Sequence, residues 1–320
     1  MSKPKVAVLC GGWTEERDVS LESGAKALEA LGGAGFEADL YDLRRSASKT
    51  EGPTVVARDE LLGVLRRARV EAVFLAFHGR LGEDGTVQGL LELGGFPYTG
   101  SGVLASALAM DKAMAKRIFA WHGIPTPPFR VWRDGEEIEG EPEPPVVTKP
   151  VTGGSTIGVT RVMRHEDLEA GLRSARLHDE RVLVEAYVPG RELTAAVLDG
   201  EPFTPLEIFA PDGFYDYRSK YASGESARHE ALREPKGLAH RVQDLAVEAY
   251  KVLGCAGLAR ADFRMDPQGK LWCLEVNTIP GFTPTSLAPD AAKADGLSMG
   301  DLVTRMVDSA IRRGNSGVKA

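Results

Sequence analysis

Four side chains toward the C-terminal end carry the strongest chemical signal in this sequence: Arg260, Asp262, Glu275 and Asn277. They stand on two short apolar runs separated by Asp266-Pro267-Gln268-Gly269, whose residues suit a tight reversal. Strand side chains alternate between faces, so Arg260 shares a face with Asp262, and Glu275 shares one with Asn277. Paired as a hairpin about that turn, the runs bring two carboxylates, one amide and one guanidinium together at the open end. Such an oxygen donor set suits a hard cation such as magnesium, completed by water and substrate phosphates. Arg260 beside it is placed to meet negative charge developing on a phosphoryl group or an oxyanion. The competing reading is a surface hairpin with a solvated charged face. The loop Thr278–Ser286, rigid and rich in hydroxyls, with a backbone N–H at Gly281, tips the balance toward a site.

Three other stretches are dense in polar groups. Lys149 ends a β-branched run and is followed by Gly153-Gly154-Ser155-Thr156 before a second such run, ending at Val162. That loop can wrap phosphates with backbone N–H groups and hydroxyls while Lys149 supplies a point charge. It lacks the order G-x-x-x-x-G-K-[ST] and precedes a strand, so a P-loop is excluded; a plain hairpin turn remains the alternative. The segment from His78 to Gln88 either presents His78 to a small anionic ligand or is a solvated turn in which Asp84 caps a helix over 86–93. Gly11-Gly12 with Glu16 follows the first apolar run and is not a dinucleotide fingerprint.

The elements that must position these residues read as strands alternating with helices. Strands are predicted over 5–9, 36–43 and 71–77, with helices over 21–31 (Ser20 as N-cap) and 58–69, the pattern of a parallel α/β sheet. In such sheets ligands sit beyond the carboxyl ends of the strands, where Glu16 and His78 fall. A linker is expected at Phe96–Gly102, then one long helix from Val103 to about His122. Further strands are expected over 181–188, 193–198 and 203–209, and helices over 167–177, 237–253 and 302–311. Pro211–Glu230 is too long for a simple connection and reads as a lid or binding loop.

Bulk properties bound the function. A net charge of −7 argues against nucleic acid as a partner. Cys10, Cys255 and Cys273 have no metal-ligand spacing and no disulfide framework. The apolar run near Met1 is too short for a signal peptide and no stretch reaches membrane-spanning length, so no membrane partner and a cytoplasmic location are expected.

Taken in order, the motifs resemble those of the D-alanine–D-alanine ligases of the ATP-grasp superfamily. They are Gly11-Gly12 with Glu16-Arg17 and Ser20, His78 through Gln88, Met110-Asp111-Lys112, Lys149-Pro150 with Gly154-Ser155, Phe214 through Tyr221, Arg260 with Asp262-Phe263, and Glu275 through Leu287. The resemblance covers most of the chain. It implies a three-domain α/β architecture, with an N-terminal parallel-sheet domain over 1–98 and central and C-terminal α+β domains over 99–184 and 185–320 clamping ATP. It implies ligation of two D-alanines through a D-alanyl phosphate, for peptidoglycan precursor synthesis. By the same resemblance, Asp262, Glu275 and Asn277 hold two Mg²⁺ (or Mn²⁺) ions, with K⁺ a further candidate. Lys112, Lys149 and Lys220 contact phosphates, Glu185 and Val188 the adenine, and Glu192 the ribose. Glu16 anchors the ammonium of the first D-alanine and His78 its carboxylate region. Arg260 and the Gly281 N–H form an oxyanion hole, Ser155 and Tyr221 close the site onto Glu16, and Ser286 and Leu287 face the second D-alanine. A homodimer is also implied. The sequence departs from the family's usual form at Thr156, at Trp13-Thr14-Glu15, and at Ala186-Tyr187, where a lysine is usual. The rival readings are another carboxylate–amine ligase, such as one for D-Ala-D-Ser, and a nucleotide-binding protein without ligase chemistry.

Overall fold

The computed structural model describes residues 3–46, 55–137, 140, 142–209, 228–232, 235, 237–283 and 286–316. The chain opens with β1 (Val6–Gly11), α1 (Arg17–Gly33), β2 (Ala38–Arg44), β3 (Val55–Ala57), α2 (Leu61–Arg67), β4 (Ala72–Leu75) and α3 (Thr86–Gly94). Its strands form a parallel sheet in the order β3-β2-β1-β4. The continuous apolar run of β1 follows from burial on both faces. Val6, Val8 and Cys10 pack toward one core, Ala7 and Leu9 toward another.

Next come α4 (Val103–Met110), α5 (Lys112–Trp121), β5 (Phe129–Arg133), β6 (Val146–Pro150), β7 (Thr160–Val162), α6 (Leu168–Arg176) and β8 (Arg181–Ala186). The strands make an antiparallel sheet, β5-β8-β6-β7, covered by α6 through Leu168, Leu172 and Ala175. The remainder supplies β9 (Arg191–Leu198), β10 (Glu201–Pro202), β11 (Leu206–Phe209), β12 (Arg228–Ala231), α7 (Leu238–Val252), β13 (Leu258–Met265), β14 (Leu271–Asn277), α8 (Leu287–Ala294) and α9 (Met299–Ser316). A second antiparallel sheet runs β12-β11-β9-β13-β14, with β10 on β9. One of its faces packs on α5 and α7 through Phe119, Val242, Ala246 and Phe263. Its other side joins the N-terminal sheet in one core, through Leu198, Leu258, Phe282 and the α9 residues Val303 and Val307. This mixed α/β architecture is the one the resemblance implied. The 184/185 division falls inside β8, and α9 packs back on α1 and β4.

Two local expectations are corrected. Ser20 does not cap α1, which starts at Arg17. Its buried hydroxyl instead accepts from Gly11 N and donates to Ala76 O, both at 2.8 Å, tying the helix to the ends of β1 and β4. The long helix predicted from Val103 to about His122 is two helices, broken at Asp111, whose ψ of 94° leaves the helical region. The break is stabilised because Asp111 caps α5, with Oδ1 accepting from Met114 N at 2.9 Å and Oδ2 from Arg181 at 2.7 Å. Of the stretch 211–230, where the lid was expected, residues 211–227 lie outside the described residues, while residues 228–230 belong not to a lid loop but to β12, paired with β11.

Removing that cap is expected to cost about 1–2 kcal/mol. Asp111→Ala lowers the unfolding midpoint in urea, with Asp111→Asn, which keeps an acceptor, falling in between. A midpoint equal to wild type in Asp111→Ala excludes the capping role.

Candidate active site

The hairpin of β13 and β14 sets the site. Arg260 pairs with Asn277 and Asp262 with Glu275, so all four side chains share one face. A register shift follows at once, between Asp262 and Phe263. Phe263 then pairs with Cys273, which leaves Leu274 as the extra residue of a β-bulge. Leu274 and Glu275 therefore both line the cleft, while Cys273 turns into the core.

Each carboxylate here has a cation beside it. Asp262 takes two bonds from Arg260, at 2.9 and 2.8 Å, and a third from Thr194 Oγ1 at 2.6 Å. Glu275 lies 3.4 Å from the Lys112 ammonium. Asn277 Oδ1 accepts from Ile279 N at 2.9 Å, which fixes its oxygen at the strand end. Among the described residues no three His, Cys, Asp or Glu side chains gather closely enough to hold a metal ion by themselves. Two carboxylates and an amide oxygen fit a hard cation that draws its remaining ligands from phosphates and water.

The face forms the wall between two adjoining chambers. The first, about 120 Å³, has apolar sides at Val147, Val159, Val188 and Leu274, with Lys149, Glu185, Glu192 and Asp262 around them. The second, about 320 Å³, is lined by Glu16, His78, Ser155, Arg260 and Asn277, and by Gly281, Ser286 and Leu287 of the following loop and α8. Lys112, Gly153, Gly154 and Glu275 border both. Thus the structure brings every site residue expected from the sequence to one cleft, apart from Lys220 and Tyr221, which lie outside the described residues.

In the first chamber Glu185 is buried between two lysines, with Lys149 at 2.8 Å and Lys116 at 2.5 Å. Burial alone pushes Glu185 up, but Lys116 and Lys149 outweigh it and hold its carboxyl below the ordinary value. Burial works against Lys149 in the same way, and Glu185 and Glu275 reverse it, so its ammonium is held above the ordinary value. Lys116 escaped the sequence reasoning. The signal was its place four residues after Lys112, on the same face of α5. Its ammonium also reaches Thr126 Oγ1 at 2.5 Å, and Thr126 in turn donates to Cys273 O at 2.8 Å, linking α5 to the hairpin.

In the second chamber the Ser155 hydroxyl donates to Glu16. The backbone closes on that carboxylate: a Cβ on Gly79, which has φ +71°, would stand 2.2 Å from Glu16 Oε2. Ser155 and Thr156 both adopt left-handed backbone, φ +51° and +62°, uncommon for any residue but glycine and more so for the β-branched Thr156. His78 is buried, its Nε2 2.9 Å from Ser23 Oγ, and burial together with Arg260 pushes its pKa down to about 4. Glu83, given no role by the sequence, is buried alongside. Its Oε2 accepts from Gly79 N at 2.7 Å, and burial and Glu16 push its carboxyl well above the ordinary value. Ser286 Oγ accepts from Thr283 N at 3.0 Å at the start of α8.

Family models for the D-ala D-ala ligase N-terminus and C-terminus match residues 5–101 and 119–308. A D-alanine–D-alanine ligase of Syntrophotalea carbinolica is 46% identical over 314 residues, covering 98% of each chain. The chain belongs to the D-alanine–D-alanine ligase family. It is therefore an enzyme, a ligase with the ATP-grasp architecture. Among solved structures, the D-alanine–D-alanine ligase of Bacillus anthracis complexed with ATP has a TM-score of 0.81 at 28% identity, covering 99% of this chain and 100% of that one. The VanG D-Ala:D-Ser ligase of Enterococcus faecalis also scores 0.81, at 31% identity, covering 96% and 99%.

Below pH 6.5 the unfolded chain protonates His78, whereas the folded chain refuses that proton until about 4. Stability is therefore lost as pH falls through that window, by up to about 1.4 kcal/mol per pH unit from this group. Urea midpoints at pH 7 and 4.5 should differ less in His78→Gln than in wild type. An identical pH dependence in the two proteins excludes a neutral buried imidazole.

Proposed function

We propose that this cleft ligates two D-alanine molecules at the expense of ATP, through a D-alanyl phosphate, releasing ADP and phosphate for peptidoglycan precursor synthesis. The observation that carries this reading is the wall of Arg260, Asp262, Glu275 and Asn277 standing between a slot with apolar sides and a polar chamber. Activating a carboxylate with a phosphoryl group brings two anions together, so charge neutralisation and alignment at that wall are what the chemistry requires.

The base lies between the apolar sides of the first chamber, edged by Glu185 and Val188, with Glu192 on the ribose. Lys112 and Lys149 reach its phosphates, joined by Lys220. Mg²⁺ or Mn²⁺ ions on Asp262, Glu275 and Asn277 would neutralise the phosphates and the developing charge, with K⁺ a further candidate activator. Glu16, held by Ser155, receives the ammonium of the first D-alanine. His78 serves as a neutral hydrogen-bonding group near its carboxylate, since its imidazole stays uncharged at neutral pH. One carboxylate oxygen attacks the γ-phosphorus and ADP leaves. The free amine of the second D-alanine, placed by Ser286 and Leu287, then attacks the acyl carbon, and phosphate departs while the amine sheds a proton. Arg260 and the Gly281 N–H stabilise the tetrahedral oxyanion. Tyr221 completes the closure with Ser155 over Glu16. Units 1–98, 99–184 and 185–320 enclose the cleft in this reading. A homodimer and a cytoplasmic setting go with it; among the described residues no helix is long and apolar enough to cross a membrane.

Formation of dipeptide and phosphate from D-alanine and MgATP tests the reading, and no D-alanine dependence in a panel of amino acids would sink it. A preference for D-serine as second substrate would move the chain to the D-Ala-D-Ser class. Asn277→Ala is expected to lower turnover by about two orders of magnitude or more while ATP binding changes little, as befits a group acting mainly in the transition state. Unchanged turnover refutes the metal assignment.

A further inference from the structure

The first chamber contains a cation that the proposed reaction does not use. Arg264 lies two residues beyond Asp262 on β13, so strand alternation turns it toward the same cleft. It is only 5% exposed. Its guanidinium donates to Val188 O at 3.1 Å, Gly190 O at 3.1 Å and Glu192 Oε2 at 2.9 Å, and it lies 5.6 Å from the Tyr187 ring centre. All these partners fall in Tyr187–Glu192, where the chain crosses from the end of β8 to the start of β9. That crossing is pressed onto β13, since a Cβ on Gly190, φ +123°, would stand 2.1 Å from Met265 O. Ala186 and Tyr187 bring no charge to the chamber from their side.

An arginine that donates at once to a carboxylate and to two backbone carbonyls fixes their relative positions, which a lysine's single ammonium does less well. Glu192 pairs with Arg264 at 2.9 Å, and a carboxylate can only accept hydrogen bonds, so the groups it recognises are O–H or N–H donors. A ribose presents two adjacent hydroxyls. We propose that Arg264 is the positioning residue that makes this chamber selective for ribonucleotides, by orienting Glu192 toward the sugar hydroxyls and fixing the Val188–Gly190 crossing that edges the base. This deepens, and rests on, the reading of the chamber as the ATP site.

The test compares wild type with Arg264→Met, Arg264→Lys, Glu192→Gln and the Arg264→Met/Glu192→Gln double variant. Calorimetric binding of ATP and 2′-deoxy-ATP without D-alanine is measured first, then kcat and KM. Arg264→Met should weaken ATP binding and raise its KM by about tenfold to a hundredfold, the scale of lost charge-assisted hydrogen bonds. The turnover number should stay within about threefold, because the loss falls on binding. The preference for ATP over 2′-deoxy-ATP should collapse toward one in Arg264→Met and in Glu192→Gln, and the double variant should be no worse than the more affected single one. Arg264→Lys should retain part of the preference with a KM raised several-fold, and it carries the test if Arg264→Met does not fold. Wild-type values in Arg264→Lys in that case, or a wild-type preference in folded Arg264→Met, overturn the inference. Equal losses for both nucleotides with a matching fall in kcat overturn it too, indicating a merely structural residue. If Glu192→Gln abolishes the preference but Arg264→Met does not, only Arg264's part fails. If wild type binds no ATP, or Glu192→Gln leaves the preference intact, the assignment of the chamber fails instead.

Discussion

The register between β13 and β14 is the constraint on which the cleft depends. Side chains alternate along a strand, so a slip of one residue would send Arg260 and Asp262 into the core and expose Ala261 and Phe263 to the cleft. Ala261, Phe263, Cys273 and Val276 lie in the core that packs against α5 and α7, and this apolar set fixes the pairing. Stability and chemistry are thus opposite faces of one ribbon. The bulge at Leu274 adds what strict alternation cannot: an apolar side chain beside Glu275, both directed to the cleft. An apolar side and a charged wall can then meet within two residues.

Charge is balanced pair by pair in this wall. Arg260 holds Asp262, Lys112 faces Glu275, and Lys116 and Lys149 enclose Glu185. A buried carboxylate left alone would take up a proton, and a buried ammonium would lose one. Pairing holds Glu185 below and Lys149 above their ordinary values, whereas at Lys116 burial still outweighs the pairing and lowers the ammonium. In the proposed reaction Asp262 and Glu275 would hold the metal ion, leaving Lys112 to turn with Lys149 to phosphate oxygens. Little new desolvation is then required, which is the physical advantage of a preorganised polar site over one assembled during the reaction. The protein's overall negative charge is no obstacle, because the relevant cations are gathered in the cleft.

What the sequence made legible was local. The hairpin turn, the alternation of Arg260 with Asp262, and the polar loops after the strands all depend on residues a few positions apart, and the structure brings them together. Missing were features decided by distant partners. Asp111 breaks a segment whose composition is helical throughout because Arg181, seventy positions on, takes its other oxygen. Ser20 leaves the capping position its type suggests because β1 and β4 offer it backbone partners. Lys116 and Arg264 look like surface cations until the sheets that bury them are in place. Cys273 sits in an apolar run and its burial could be read from that, but it has the parity of Glu275 and Asn277, and the bulge that reconciles the two could not.

The remaining wall is the loop after β6, and its strain has a physical reading. Lys112 N donates to Val151 O at 3.0 Å, the Lys112 ammonium to Gly153 O at 2.5 Å, and Arg80 to Thr152 at 2.8 Å, while Ser155 donates to Glu16. The loop is therefore held from α5 on one side and from the N-terminal unit on the other. Left-handed backbone at Ser155 and Thr156 costs on the order of 1–3 kcal/mol per residue and persists only where surrounding contacts over-determine it. An acyl phosphate would be hydrolysed wherever water reached it, so a ligase proceeding through one needs a wall that stays closed beside the carboxylate it activates. A loop tied at Val151, Thr152, Gly153 and Ser155 meets that need, and its left-handed tip is where Ser155 reaches across the cleft to Glu16.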